Sequence, residues 1–193
     1  ISVYYNKKKV PVKKFADYMK LYLKEGSEKY MVVDEDTNDR WSVGVFMSDD
    51  NFEQVSFVNG INTNLGGTHV EHVTKNMIKQ FTEKLKKKKL NIKNSYIKDK
   101  MFVFVKSFIE NPSFNSQTKE FMTTRSTKFG SSWEISKKFI NGLTKTGIIE
   151  EVASFAAFKE QKNLKKTDGK VKRRLIGIPK LDDANWAGSK KSS

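Results

Sequence analysis

The stretch that most constrains this chain runs from Met101 to Thr124, MFVFVKSFIENPSFNSQTKEFMTT. Phe102, Val103, Phe104 and Val105 are consecutive aromatic and β-branched residues, the pattern of a strand buried on both faces. Pro112 has no N–H and restricts Asn111 before it, so regular pairing should stop near Glu110. Beyond it, Asn115-Ser116-Gln117-Thr118-Lys119 reads as a polar loop projected from the end of a buried strand. A lysine ammonium and a glutamine amide held there could reach a phosphate. By residue type alone, an ordinary solvated loop is the simpler reading.

The rest of the chain supplies partners for that strand. Residues 1–12 read as two short strands about the turn Asn6–Lys9. Phe15, Tyr18, Met19 and Tyr22 share one face of a short helix. Strands are expected at Tyr30–Val33, Trp41–Met47 and Phe52–Asn59, the last two as an antiparallel hairpin. Gly60–Gly67 reads as an irregular loop. It leads into a helix with Thr68 and Glu71 as a capping box and an apolar face of Val70, Val73, Met77, Phe81 and Leu85. Ser131 and Glu134 suggest a second capping box, opening a helix from Trp133 to Leu143. A further helix is expected from Gly147 to Lys162. Together these predict an α+β fold, a mixed β-sheet packed on one face by helices.

Charge and composition narrow the function. The chain of 193 residues carries a net charge of +15, with lysines densest in KLKKKK at Lys84–Lys89. Such a balance attracts polyanions, and nucleic acid is the commonest large one. Lys86, Lys87 and Lys88 are candidate contacts to DNA phosphates, which would bind through counterion release and without sequence preference. A solvated helix end accounts for the same residues. Cysteine is absent, which excludes disulfides and thiolate metal sites. His69 and His72 lack an acidic or cysteine partner at metal-site spacing. Asp49 and Asp50 fit a solvated turn, and no metal ligand set is assigned. No apolar run is long enough for a membrane span. The chain does not begin with Met and is expected to be a piece of a longer protein.

Three ordered stretches carry a family resemblance. IENPSFNSQTKE around Gln117-Thr118-Lys119, FVNGINTNLGGTHV at Phe57–Val70 and PKLDDANWAG at Pro179–Gly188 resemble the type IIA DNA topoisomerases, in their eukaryotic topoisomerase II branch. They occur in the family's order and approximate spacing. The resemblance implies that residues 1–25 end an ATPase domain of the GHKL type. Residues 26–162 would then be a transducer domain with a left-handed βαβ crossover. Residues 163–193 would be a linker towards the metal-binding (TOPRIM) domain of the DNA-cleavage core.

The implied activity is coupling of ATP binding and hydrolysis to passage of double-stranded DNA. In it Gln117, Thr118 and Lys119 contact ATP, held with Mg2+ mostly by the upstream domain. The lysine-rich stretch at Lys86–Lys88 would face DNA. The implied setting is a nuclear homodimer whose ATPase domain and cleavage core lie on the same polypeptide. The chain alone contains no complete catalytic set and is expected to be inactive by itself. The competing reading is an independent basic nucleic-acid-binding α+β domain. That reading needs Phe102 and Phe104 exposed for base stacking.

Overall fold

The computed structural model describes residues 3–23, 30–49, 51–87, 90, 92–145 and 147–168. Lys88 and the stretch Pro179–Gly188 lie outside the described residues. The chain divides into two compact units, Ile1–Ala156 and Ala157–Ser193. The first contains the sheets and the core. In the second, the described residues are the end of one helix.

Two short strands form near the start as expected, but the second lies at Lys8–Lys9, inside the stretch expected to be the turn, and not at Val10–Val12. β1 (Tyr4–Tyr5) and β2 (Lys8–Lys9) pair antiparallel about a turn in which Asn6 and Lys7 have positive φ. The central sheet has five strands: β3 (Val32–Asn38), β4 (Trp41–Met47), β5 (Glu53–Val58), β6 (Ile61–Asn62) and β8 (Met101–Ser107). Their spatial order is β3-β4-β8-β5-β6. β8 pairs antiparallel with β4 and parallel with β5, so the sheet is mixed, as expected. The expected β4–β5 hairpin is not formed, because β8 lies between the two strands. Adjacency in sequence had suggested the pairing, but the most apolar strand takes the centre, where both its faces and both its edges are covered. Two other hairpins take its place. One joins β3 to β4. The other joins β5 to β6 through Asn59 and Gly60, with φ of +51° and +82°. Two left-handed residues form the turn whose twist suits a two-residue hairpin, and Asn-Gly is its preferred sequence. The loop expected at Gly60–Gly67 therefore begins as a strand.

β8 is buried on both sides. Met101, Val103 and Val105 enter the larger core, with Val70, Val73, Met77, Phe81 and Leu85 of helix α2 (Thr68–Lys87). All five expected positions on that helix face are buried. Helix α3 (Asn94–Asp99), just before β8, adds Ile97 to the same core. Phe102 and Phe104 point the other way, into a second core with Phe46 and with Met19 of helix α1 (Phe15–Lys20). Tyr22, just past α1, meets the Phe104 ring edge-on at 5.2 Å. The one-face packing expected from the sequence is thus corrected: α1 covers the second face, because two aromatic rings of β8 need a cover there. Phe104 is fully buried and Phe102 half-buried, so neither offers the open stacking platform that the competing nucleic-acid reading needs.

Two helix boundaries also move. Helix α4 spans Lys137–Lys145 rather than starting at Trp133. Trp133 is fully buried, and its indole N–H donates to Asp34 Oδ2 at 3.3 Å. Its carbonyl accepts from the Asn76 amide at 3.1 Å. These tertiary bonds hold 131–136 out of the helix, and Ser136 Oγ caps α4 by accepting the Phe139 N–H at 3.1 Å. Ser131 instead accepts the Trp41 indole N–H at 2.9 Å. Helix α5 runs from Ile148 to Asp168, past the Lys162 end expected for it and into the start of the expected linker.

Candidate functional site

Gln117, Thr118 and Lys119 sit at the tip of a hairpin whose base is fixed at many points. Its arms meet through Thr123 N–H to Ser113 O at 2.9 Å and Asn115 N–H to Phe121 O at 3.1 Å. Ser113 N–H also donates to the Thr124 hydroxyl at 2.7 Å. The tip is a tight turn closed by Lys119 N–H to Ser116 O at 3.2 Å. The Ser116 and Thr118 hydroxyls are 2.7 Å apart. Lys119 has φ +58°, an uncommon conformation for a residue with a side chain, which ends the turn and starts the return arm. All three tip residues are exposed.

The return arm is pinned from the side. Strand β7 (Gly66–Gly67) pairs in parallel with β9 (Phe121–Met122). Leu65 N–H adds a bond to Glu120 O at 3.0 Å. Gly67 has φ +139°, and a Cβ there would sit 2.6 Å from Met122 N. Only glycine lets the two backbones approach this closely. Met122 is fully buried, so the arm is anchored in the core. Thr68, the first residue of α2, donates its hydroxyl to Thr124 O at 2.6 Å. Gly67 thus serves the backbone approach, while Gly66 supplies a positive φ of +77°, and the hydroxyl expected to cap the helix ties it to the hairpin.

The entry to the hairpin is held as well. Asn59 Nδ2 donates to Ile109 O, and Ile109 N–H donates to Asn59 Oδ1, both at 2.9 Å. Sequence reasoning assigned Asn59 no role beyond ending a strand. The Asn-Gly pair was the available signal, although it announces the turn and not the clamp.

A buried polar cluster lies beside this base. The Ser56 and Thr63 hydroxyls are 2.6 Å apart, and His69 Nε2 lies 3.2 Å from Thr63 Oγ1. Burial pushes the His69 imidazole down to about 4, because the charged form would lose its hydration. His72 lies 3.3 Å from the Trp133 carbonyl instead. The two histidines therefore engage different partners. Among the described residues, no group of three or more His, Cys, Asp or Glu could hold a metal ion. No described helix is long and apolar enough to cross a membrane.

The second candidate region is the other end of α2. Lys86 and Lys87 occupy its last turn and are exposed. α2 has 20 residues, so the hairpin base and the lysine end are separated by about 30 Å of helix. The structure therefore does not bring the two groups into one site. It joins them through one rigid element.

The profile of the DNA gyrase B family matches residues 12–171. The chain belongs to the DNA gyrase B family. DNA topoisomerase 2 of Drosophila melanogaster is 46% identical over 199 residues, which cover 100% of this chain and 14% of that protein. The solved ATPase region of Saccharomyces cerevisiae topoisomerase II superposes with a TM-score of 0.71 at 41% identity, covering 80% of this chain and 40% of that one. The ATPase and transducer domains of DNA topoisomerase II from Balamuthia mandrillaris give a TM-score of 0.71 at 34% identity, covering 83% and 40%. The mixed sheet and its helices thus match the ATPase region of topoisomerase II. This family member spans only a small part of the curated relatives it resembles.

Proposed function

We propose that this chain is the transducer-containing part of an ATP-dependent type II DNA topoisomerase, and that Gln117, Thr118 and Lys119 form its contact with ATP. The observation that carries this reading is the pinned hairpin. Its tip offers an amide, a hydroxyl and an ammonium, with no carboxylate from Asn115 to Lys119. That donor set fits the oxygens of a phosphate, and the anchored base supplies the positional precision that phosphoryl transfer requires. ATP supplies a terminal phosphoryl group whose transfer to water provides the driving force. Lys119 binds that group as a point charge, Gln117 orients it, and Thr118 adds a neutral donor. Mg2+ accompanies the nucleotide and is assigned no ligand in this chain.

In this reading residues 1–25 close the ATPase domain, residues 26–162 are the transducer, and residues 163–193 lead to the metal-binding domain of the cleavage core. The β5–α2–β8 unit is then the left-handed crossover. Loss of the terminal phosphate removes a contact made at the hairpin. α2, bonded to the hairpin base, carries the resulting movement to Lys86 and Lys87. Those lysines, with Lys88, contact the backbone of double-stranded DNA. The working enzyme is a nuclear homodimer.

The test is Lys119→Ala in the full-length enzyme, measured as DNA-stimulated ATP hydrolysis and nucleotide binding. The expected result is a loss of about a hundredfold or more in kcat with binding largely kept. Unchanged hydrolysis would refute the ATP contact.

A further inference from the structure

We infer that Asn59 is a positioning residue for Lys119: its side-chain amide sets the point at which the chain leaves the sheet and enters the hairpin. The inference rests on the reading of Lys119 as a phosphate contact, and adds a residue that reaches no ligand itself.

The parallel ladder between β5 and β8 ends at Val58 opposite Ser107. Asn59 N–H still donates to Ser107 O at 2.9 Å. At Asn59 the backbone then turns away, with φ +51°, to begin the tight turn into β6. Without a further partner, Ile109 would lose its β5-side hydrogen bonds there. The Asn59 carboxamide replaces the departed peptide group. It offers one acceptor to Ile109 N–H and one donor to Ile109 O. This two-way bond extends the ladder by one step through a side chain. Ile109 is buried at 3% exposure while Asn59 lies at the surface, so without the clamp the backbone of a buried residue is left to whatever solvent reaches it from that side.

The residues after Ile109 make the extension matter. Glu110 N–H donates to Phe129 O at 3.2 Å, and Arg40 reaches the Glu110 carboxylate at 2.7 Å. That ion pair is largely exposed and contributes little. Asn111 adopts φ +43°, and Pro112 has no N–H to give. The hairpin arms begin at Ser113. The Asn59 clamp, a surface side chain on the backbone of buried Ile109, is therefore the last two-way anchor before the outgoing arm, and the β7–β9 pairing anchors the return arm. A hairpin held on one arm could pivot about the other. Held on both, it keeps Lys119 at a fixed position.

Asparagine at this position serves two separable purposes, the left-handed turn and the clamp. Asn59→Gly keeps the first, because glycine accepts φ > 0, and deletes the second. Asn59→Asp keeps an acceptor for Ile109 N–H but loses the donor to Ile109 O. The experiment uses the full-length enzyme and measures ATP hydrolysis, nucleotide binding and thermal unfolding for both variants, with Lys119→Ala alongside. For Asn59→Gly, kcat should fall about tenfold or more with nucleotide affinity within about twofold of the parent, the signature of a misplaced catalytic group. Asn59→Asp, which still accepts from Ile109 N–H, should lose less in kcat and in thermal midpoint than Asn59→Gly, so the question stays answerable if the glycine variant fails to fold.

Unchanged kcat in Asn59→Asp together with a normal kcat per folded molecule in Asn59→Gly would overturn the assignment. A drop in kcat that merely tracks the folded fraction would do the same. If Lys119→Ala itself leaves hydrolysis intact, the ATP reading fails, and the positioning role falls with it. Failure of the clamp alone leaves the Lys119→Ala effect standing.

Discussion

The two ends of α2 are built in opposite ways. At its N-terminus, backbone pairs, a threonine hydroxyl and a buried methionine hold a short hairpin in place. At its C-terminus, lysines project into solvent from the last turn of the helix. The difference reflects the ligand that each end would bind. A group that must meet one phosphate in one geometry gains from fixed neighbours, since a displacement of about 1 Å can cost orders of magnitude in rate. Charges that meet a polyanion anywhere along its length need only be dense and hydrated.

The sharpest way to break this comparison is Gly67→Ala. The added methyl would collide with the Met122 backbone, and φ +139° is strained for alanine. Displacement and strain together should cost about 3 kcal/mol or more, read as a fall in thermal midpoint of the isolated chain. A variant as stable as the parent would mean that the hairpin base is not pinned by this contact.

A second test sharpens the comparison through pH. His69, beside the hairpin base, is held down to about 4 by burial. Its unfolded value is near 6.5, so between pH 6.5 and pH 4 the unfolded chain takes up a proton that the folded chain refuses. This contribution to stability is full above about pH 6.5 and is lost as the pH falls towards 4. The loss reaches about 3 kcal/mol at most. Denaturant titrations of the parent and of His69→Gln should diverge over that window, with the variant flatter. Parallel curves would remove His69 from the rigid end.

The smallest expected effect lies at the solvated end. Lys86→Ala with Lys87→Ala should leave stability within about 0.5 kcal/mol of the parent. The same double substitution should make the dependence of log K on log salt less steep by about 2 for duplex DNA of any sequence. An unchanged salt slope in a binding titration would show that these lysines face only solvent.

Much of this asymmetry was legible in the residues, though unevenly. Helix α2 could be read because Val70, Val73, Met77, Phe81 and Leu85 repeat with the period of a helix, a property of the local sequence. The exposed tip could be read because Pro112 stops pairing and a polar run comes after it. Strand order could not be read, since nothing within Trp41–Val58 records that β8 will enter between its two strands. Trp133 also misled. Its neighbours Ser131 and Glu134 fit a cap, but burial of the indole against Asp34 outweighs that local preference. The pinning of the hairpin was hidden for a related reason. A glycine pair announces a turn, but does not say which backbone it lets in. The Asn59 clamp was least visible, because one residue type serves the turn and the clamp at once.

The placement of β8 also has a cost during synthesis. It is the central strand of the sheet and the last of its five strands to be made. A ribosome adding about 5–20 residues per second takes roughly 3 to 10 seconds to pass from the end of β4 to the start of β8. Through that interval β4, and β5 once it has been made, each carry a bare edge, the feature by which strands recruit the wrong neighbour. The nascent first half of this unit is therefore open to mispairing until its own middle arrives.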